Sequence, residues 1–232
     1  MWKLTTIDPN FVKHYNRRHG ILTMPPIFLG HKAMKYVSID LETTGLSPRQ
    51  HQILEFGAVI EDTENVLPIE ELPSFHSYIK WDTIIGDPYA LAMNWRILDV
   101  IAKPQMWEEL GVRVLNPEDL GLVFWDFIDK HFNSDNDQEV FRGKITVAGK
   151  NFGNFDNQFL ENLPNFFRHV RFEHRFLDPG SMYFNPKIDS KPPGLETCLE
   201  RIGIRKGISH TAVEDAKDVI MALRGKLKYD GK

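Results

Sequence analysis

Asp40 and Glu42 stand one residue apart in the stretch YVSIDLETTG at 36–45. Tyr36, Val37, Ser38, Ile39, Asp40 and Leu41 suit a strand, being rich in β-branched and aromatic residues with no Gly or Pro. On a strand, positions i and i+2 share a face. Both carboxylates therefore point to one side, at the strand's C-terminal end, where open α/β sheets keep their ligands. Two like charges held together are costly unless something neutralises them. Magnesium or manganese would do so, since hard cations take carboxylate oxygens. The pair by itself is a weak signal, because most such pairs sit in solvated turns.

Two further acids have the type and the setting to join it. Asp156 borders an apolar helix face with Phe159, Leu160 and Leu163, and an acid in such a place needs a partner. Capping the helix start is its plain role; a metal bridging it to Asp40 is the functional one. Asp215 comes early in a last helix whose buried side is Ala212, Val213, Ala216, Val219, Ile220 and Leu223. Thr211 and Glu214 have the spacing of a capping box at its start. His210 stands just outside that start. Asp215 as ligand and His210 as base could serve one centre.

The elements that would position these groups are legible in part. Residues 53–60, ILEFGAVI, read as a second strand and 74–80, SFHSYIK, as a third. Joined by short turns, the three strands make an antiparallel meander. His76 falls in the third strand, more readily as a packed or edge histidine than as a ligand. Pro88 opens a helix through Tyr89, Ala92, Met93 and Arg96 that stops before Pro104. Trp81, Trp95 and Trp107 lie nearby; stacking on bases is one use for such rings, core packing the commoner one. Asn116 as N-cap with Pro117 at the first helical position starts a further helix, whose stripe is Leu120, Val123, Phe124, Phe127, Ile128 and His131. Residues 133–139 form a polar loop and 145–148 a short strand. A helix follows from near Asn154 to Leu163, where Phe155 and Phe159 make an i,i+4 pair. Leu195, Leu199 and Ile202 mark a short helix closed by Gly203.

A chain of 232 residues, 42% hydrophobic, has room for one large α/β domain or two small ones. The formal net charge of -4 argues against holding duplex nucleic acid by bulk charge alone. It leaves room for an enzyme that grips a few nucleotides through metals. Cys198 is the one cysteine, so neither an intrachain disulfide nor a four-thiolate zinc site can form. No apolar run has signal-peptide or transmembrane length, which reads as a soluble protein of the cytoplasm or another intracellular compartment. Residues 1–34 form an N-terminal arm that Trp2, Phe11 and Tyr15 could pin down. Its basic patch of His14, Arg17, Arg18 and His19 reads as a solvated face before a phosphate site.

Three separated motifs resemble those of the DEDDh 3′–5′ exonucleases, a group that includes ribonuclease T, oligoribonuclease and proofreading exonucleases. They are Asp40-x-Glu42-Thr-x-Gly, Asn151-x-x-x-Phe155-Asp156-x-x-Phe159-Leu160 and His210-x-Ala212-x-x-Asp215-Ala216. Order and internal spacing both match. The resemblance spans roughly 35–223, and Lys150 departs from it where relatives often place histidine. It implies an α/β, ribonuclease H-like fold: a mixed five-stranded sheet flanked by helices, within an exonuclease domain at 35–232 that has a divergent region at 81–118. It implies that Asp40, Glu42, Asp156 and Asp215 hold two Mg2+ or Mn2+ ions, with Asp40 bridging. Such ions, about 3.5–4 Å apart, clamp the attacking and leaving oxygens. His210 would take a proton from the attacking water. Thr43, Thr44, Gly45, Leu46, Asn151 and Phe155 would line the substrate, with Leu46 wedged against the terminal base. The implied reaction removes nucleoside 5′-monophosphates from the 3′ ends of single-stranded DNA or RNA. A homodimer is compatible with the resemblance, but no stretch specifies an interface. The alternative is a catalytically inactive nucleic-acid-binding module of the same fold, which would be expected to lack a ligand; none is missing.

Overall fold

The apolar runs fold as β1 (Lys35–Thr43), β2 (Ile53–Asp62) and β3 (Ser74–Ile79), the expected antiparallel meander. The structure, a computed structural model, describes residues 34–133, 141, 143–205 and 211–229. The N-terminal arm with Trp2, Phe11, Tyr15 and the basic patch His14, Arg17, Arg18 and His19, the polar loop after Asn133, and His210 lie outside the described residues.

After β3 the chain forms α1 (Pro88–Met93), α2 (Trp95–Ile101) and α3 (Trp107–Leu110), then β4 (Val114–Leu115) and α4 (Leu120–Phe132). It continues through β5 (Thr146–Ala148), α5 (Asp156–Glu161), α6 (Phe166–His169), α7 (Pro179–Tyr183), α8 (Leu195–Glu200) and α9 (Ala212–Leu227). The sheet has five strands in the order β4-β3-β2-β1-β5. The outer pairs β3–β4 and β1–β5 are parallel and the inner pairs antiparallel, so the sheet is mixed.

Helices cover both faces. On one, Val37, Ile39, Phe56 and Phe75 pack against Leu120, Phe124 and Ile128 of α4 and against Phe159, Leu160 and Phe166. Phe56 meets Phe75 and Phe124 edge-on, with ring centres 5.7 and 4.9 Å apart. Each such pair adds about 0.5–1.5 kcal/mol beyond its buried area. On the other face Tyr36, Val59 and Ala148 receive Ala216, Val219, Ile220 and Leu223 of α9. The far end of α9 is fixed by Arg224, whose guanidinium reaches the fully buried Glu61 carboxylate of β2 at 2.6 Å. Among the described residues no helix is long and apolar enough to cross a membrane.

Three helix expectations need correction. The helix read from Pro88 breaks at Asn94 into α1 and α2, because the Asn94 side chain turns to bond strand β1. The helix placed at Pro117 begins three residues later. Asn116 instead closes a turn, accepting from Asp119 N–H at its carbonyl and donating its amide to the Asp119 carboxylate. The helix expected from Asn154 starts at Asp156, after a single 3-10 turn at Phe152–Asn154 entered through a left-handed Asn151 (φ 59°). Asp156 is therefore the first helical residue rather than its cap. Two of the three tryptophans of the divergent region are packed: Trp81 and Trp107 donate to the carbonyls of Ile53 and Val100, both at 2.8 Å. Trp95 is the exposed one, with Arg96 over its ring.

Candidate active site

β1 delivers Asp40 and Glu42 to one face of the sheet, as its period of two requires. The strand then shifts register between Glu42 and Thr43 and turns at Gly45 (φ 156°). A Cβ on Gly45 would lie 2.3 Å from His51 Nδ1, which in turn accepts the Ser47 N–H. Glycine is needed there for space as well as for conformation. The threonines build this turn. Thr43 Oγ1 donates to the Gly45 carbonyl at 2.9 Å, and the buried Thr44 Oγ1 donates to Ile85 O while accepting from Gln52 N–H. The side chains of Thr43 and Thr44 are committed to shaping the turn. Leu46, at 83% exposure, is the residue that the turn presents to solvent.

α9 brings the third acid. Thr211 caps it by accepting the Glu214 N–H at 3.4 Å, and the Asp215 N–H bonds the Thr211 carbonyl. Asp215 thus sits in the first turn of a helix whose head lies directly on β2. What permits this is Gly57: a Cβ there would lie 2.3 Å from the Ala212 carbonyl carbon. Gly57 is also the cross-strand partner of Asp40. The glycine lets α9 descend until Asp40, Glu42 and Asp215 offer carboxylate oxygens within 4.8 Å of one another.

Asp156 enters from the other side of the strand end, as the buried first residue of α5. Its carboxyl is pushed to about 7 by burial, against the pull of its own and the Leu41 backbone amides. Asp40 is held well above the usual carboxylate range, first by desolvation, then by the charges of Asp156, Asp215, Glu42 and Glu55. Glu42 is raised to about 7 by burial and by Glu55 and Asp215, with a hydrogen bond from Asn94 opposing. Three carboxyls that resist ionising, gathered with Asp215, form a site short of positive charge, and the hard oxygen donors of all four fit Mg2+ or Mn2+.

Asn151 is exposed and accepts the Asn154 amide at 3.3 Å, while the half-buried Phe155 packs against Phe159 at 5.0 Å. A polar groove beside them is lined by Ser47, Arg49, Gly153, Asn157 and Asn162.

Two residues beside the cluster escaped the sequence reading. Asn94 donates to the Thr43 carbonyl at 3.1 Å and also bonds Glu42, so it ties α1 and α2 to the acidic strand end. Its signal was faint, an Asn in the middle of an apparently continuous helix. Glu55 is buried, stands across the ladder from Glu42 and bonds His76 at 2.7 Å. Its signal was plain: one acid inside the apolar run ILEFGAVI.

Comparison with known proteins agrees with this geometry. The RNase T exonuclease family model matches residues 37–87, the stretch that holds Asp40, Glu42, Glu55 and Gly57. That match covers less than half of the chain. No curated protein matches it. Among solved structures, it is similar to the nuclease domain of 3′hExo, a DEDDh family member, bound to rAMP. That match has 17% identity and a TM-score of 0.57, over 84% of this chain and 92% of that one. A full-length 3′-exonuclease matches at 16% identity and TM-score 0.58, over 96% and 69%. E. coli exonuclease I in complex with a dT13 oligonucleotide matches at 18% and 0.53, over 82% of this chain and 40% of that one. The fold is the ribonuclease H-like one.

Proposed function

We propose that the protein is a metal-dependent 3′–5′ exonuclease acting on single-stranded DNA or RNA and releasing nucleoside 5′-monophosphates. The observation that carries this reading is the meeting of Asp40, Glu42 and Asp215 within 4.8 Å, with the charge of Asp156 acting on Asp40. Asp40, Glu42, Asp156 and Asp215 would hold two Mg2+ or Mn2+ ions. When bound, the ions supply the positive charge that a phosphodiester needs as it is attacked.

The chain's own groups do the rest. His210, one residue before the cap Thr211, takes a proton from the attacking water. The Gly45 turn holds Leu46 against the terminal base, and Asn151 and Phe155 border the same nucleotide. The exonuclease domain occupies 35–232 and follows the arm 1–34.

The test uses 5′-labelled single- and double-stranded DNA and RNA, each with Mg2+, Mn2+ or chelator. A descending ladder from free 3′ ends is expected, blocked by a 3′-phosphate and abolished by chelator. Cutting of a closed circle would make the protein an endonuclease. Binding without cutting would make it an inactive nucleic-acid-binding module. Gel filtration of the same preparation reads the dimer.

A further inference from the structure

β2 buries two glutamates on the face covered by α9, and they are partnered differently. Glu61 meets Arg224, a permanent cation, at 2.6 Å. Glu55 meets the Nε2 of His76 at 2.7 Å, a hydrogen-bond partner that brings a full charge only when protonated. Burying a carboxylate in the middle of an apolar strand is costly. Leucine at position 55 would simply extend the hydrophobic run.

The register explains what the glutamate does there. One row across the sheet reads Asp40–Gly57–His76 and the next reads Glu42–Glu55–Tyr78, all on a single face. Gly57 leaves its row without a side chain between Asp40 and His76. His76 reaches diagonally to Glu55, its ring set edge-on against Tyr78 at 4.7 Å. Glu55 is thereby held beside Glu42, and its charge acts on both Glu42 and Asp40.

We propose that Glu55, locked in place by His76, is a positioning residue of the metal site: a fifth carboxylate that stands across the ladder from Glu42 and adds negative charge that favours divalent cations. This rests on the carboxylate cluster being a metal site. Partners of ligating carboxylates typically change metal affinity by about 10- to 100-fold when removed.

The test is calorimetric titration of the full chain with Mn2+ alone, beside melting curves of the metal-free protein. Glu55→Gln should weaken Mn2+ binding by about 10- to 100-fold, and His76→Ala should move it the same way. His76→Gln, whose amide nitrogen can make the same bond to Glu55, should restore wild-type affinity. Metal-free Glu55→Gln should melt no lower than wild type, because a charge leaves a crowded cluster. A lowered metal-free melting temperature with unchanged Mn2+ affinity would make Glu55 merely structural and overturn the proposal. If Glu55→Gln does not fold, the two His76 variants decide alone, since that side chain is one-third exposed (33%). A wild-type chain that takes up no Mn2+ would sink the metal-site reading itself; equal uptake by wild type, Glu55→Gln and His76→Ala would sink this inference only.

Discussion

Replacing Glu42 by glutamine should stabilise the metal-free protein while crippling it. Burial and the charges of Glu55 and Asp215 push the Glu42 carboxyl from 4.5 to about 7. The folded chain therefore binds a proton that the unfolded chain has already lost across that window. The sign follows directly: the side chain costs nothing below the unfolded value, and it destabilises the fold increasingly as pH rises toward 7. At pH 8 the shift corresponds to about 2–3 kcal/mol, at 1.36 kcal/mol per pH unit and allowing for relaxation of the neighbouring acids. For a domain of this size that is ~5–10 °C in melting temperature. Glutamine keeps an oxygen for Asn94 and removes the charge. Calorimetric melting in chelator should therefore place E42Q above wild type at pH 8 and close to it at pH 5. Saturating Mn2+ should reverse the order, since a ligand at about 1,000 times its Kd stabilises the wild type by about 4.1 kcal/mol. An E42Q protein that melts at or below wild type in chelator at pH 8 would refute the electrostatic account of the site.

Two other substitutions probe how the site is built. Gly57→Ala puts a methyl group 2.3 Å from the Ala212 carbonyl carbon, so the head of α9 must move and Asp215 with it. Turnover should fall about 10²-fold, as misplacements near 1 Å can cause, with the circular dichroism spectrum retained; full activity would show that the close approach is dispensable. His210→Ala should lower turnover about 10²–10⁴-fold and remove the acid limb of the single-turnover pH–rate profile while leaving Mn2+ affinity intact. Loss of Mn2+ binding with the acid limb preserved would make His210 a ligand instead.

Local pattern alone determined much of this protein. The β-branched and aromatic content of 36–41 and the apolar run 53–60 specified two strands, and the short turns their antiparallel pairing. The Thr211–Glu214 box specified the start of α9, because a cap is a bond between residues three apart. The three motifs named the carboxylates, since their types and spacings are local properties. Only the tertiary structure decided what lies beside what. That Glu55 faces Glu42 depends on a ladder register, and that Asn94 ends α1 depends on an acceptor on β1, fifty-one residues earlier. Thr44, read as a substrate contact, spends its hydroxyl on the turn because the 83–85 segment and Gln52 supply bonds that no local pattern announces. Gly57 is the clearest case: in the sequence it weakens a strand, and in the fold it is the gap through which α9 brings Asp215 to Asp40. The reason is physical. Periodicity and capping are set within a few residues along the chain, whereas steric room and the summed field of several carboxylates exist only once distant segments have been packed together.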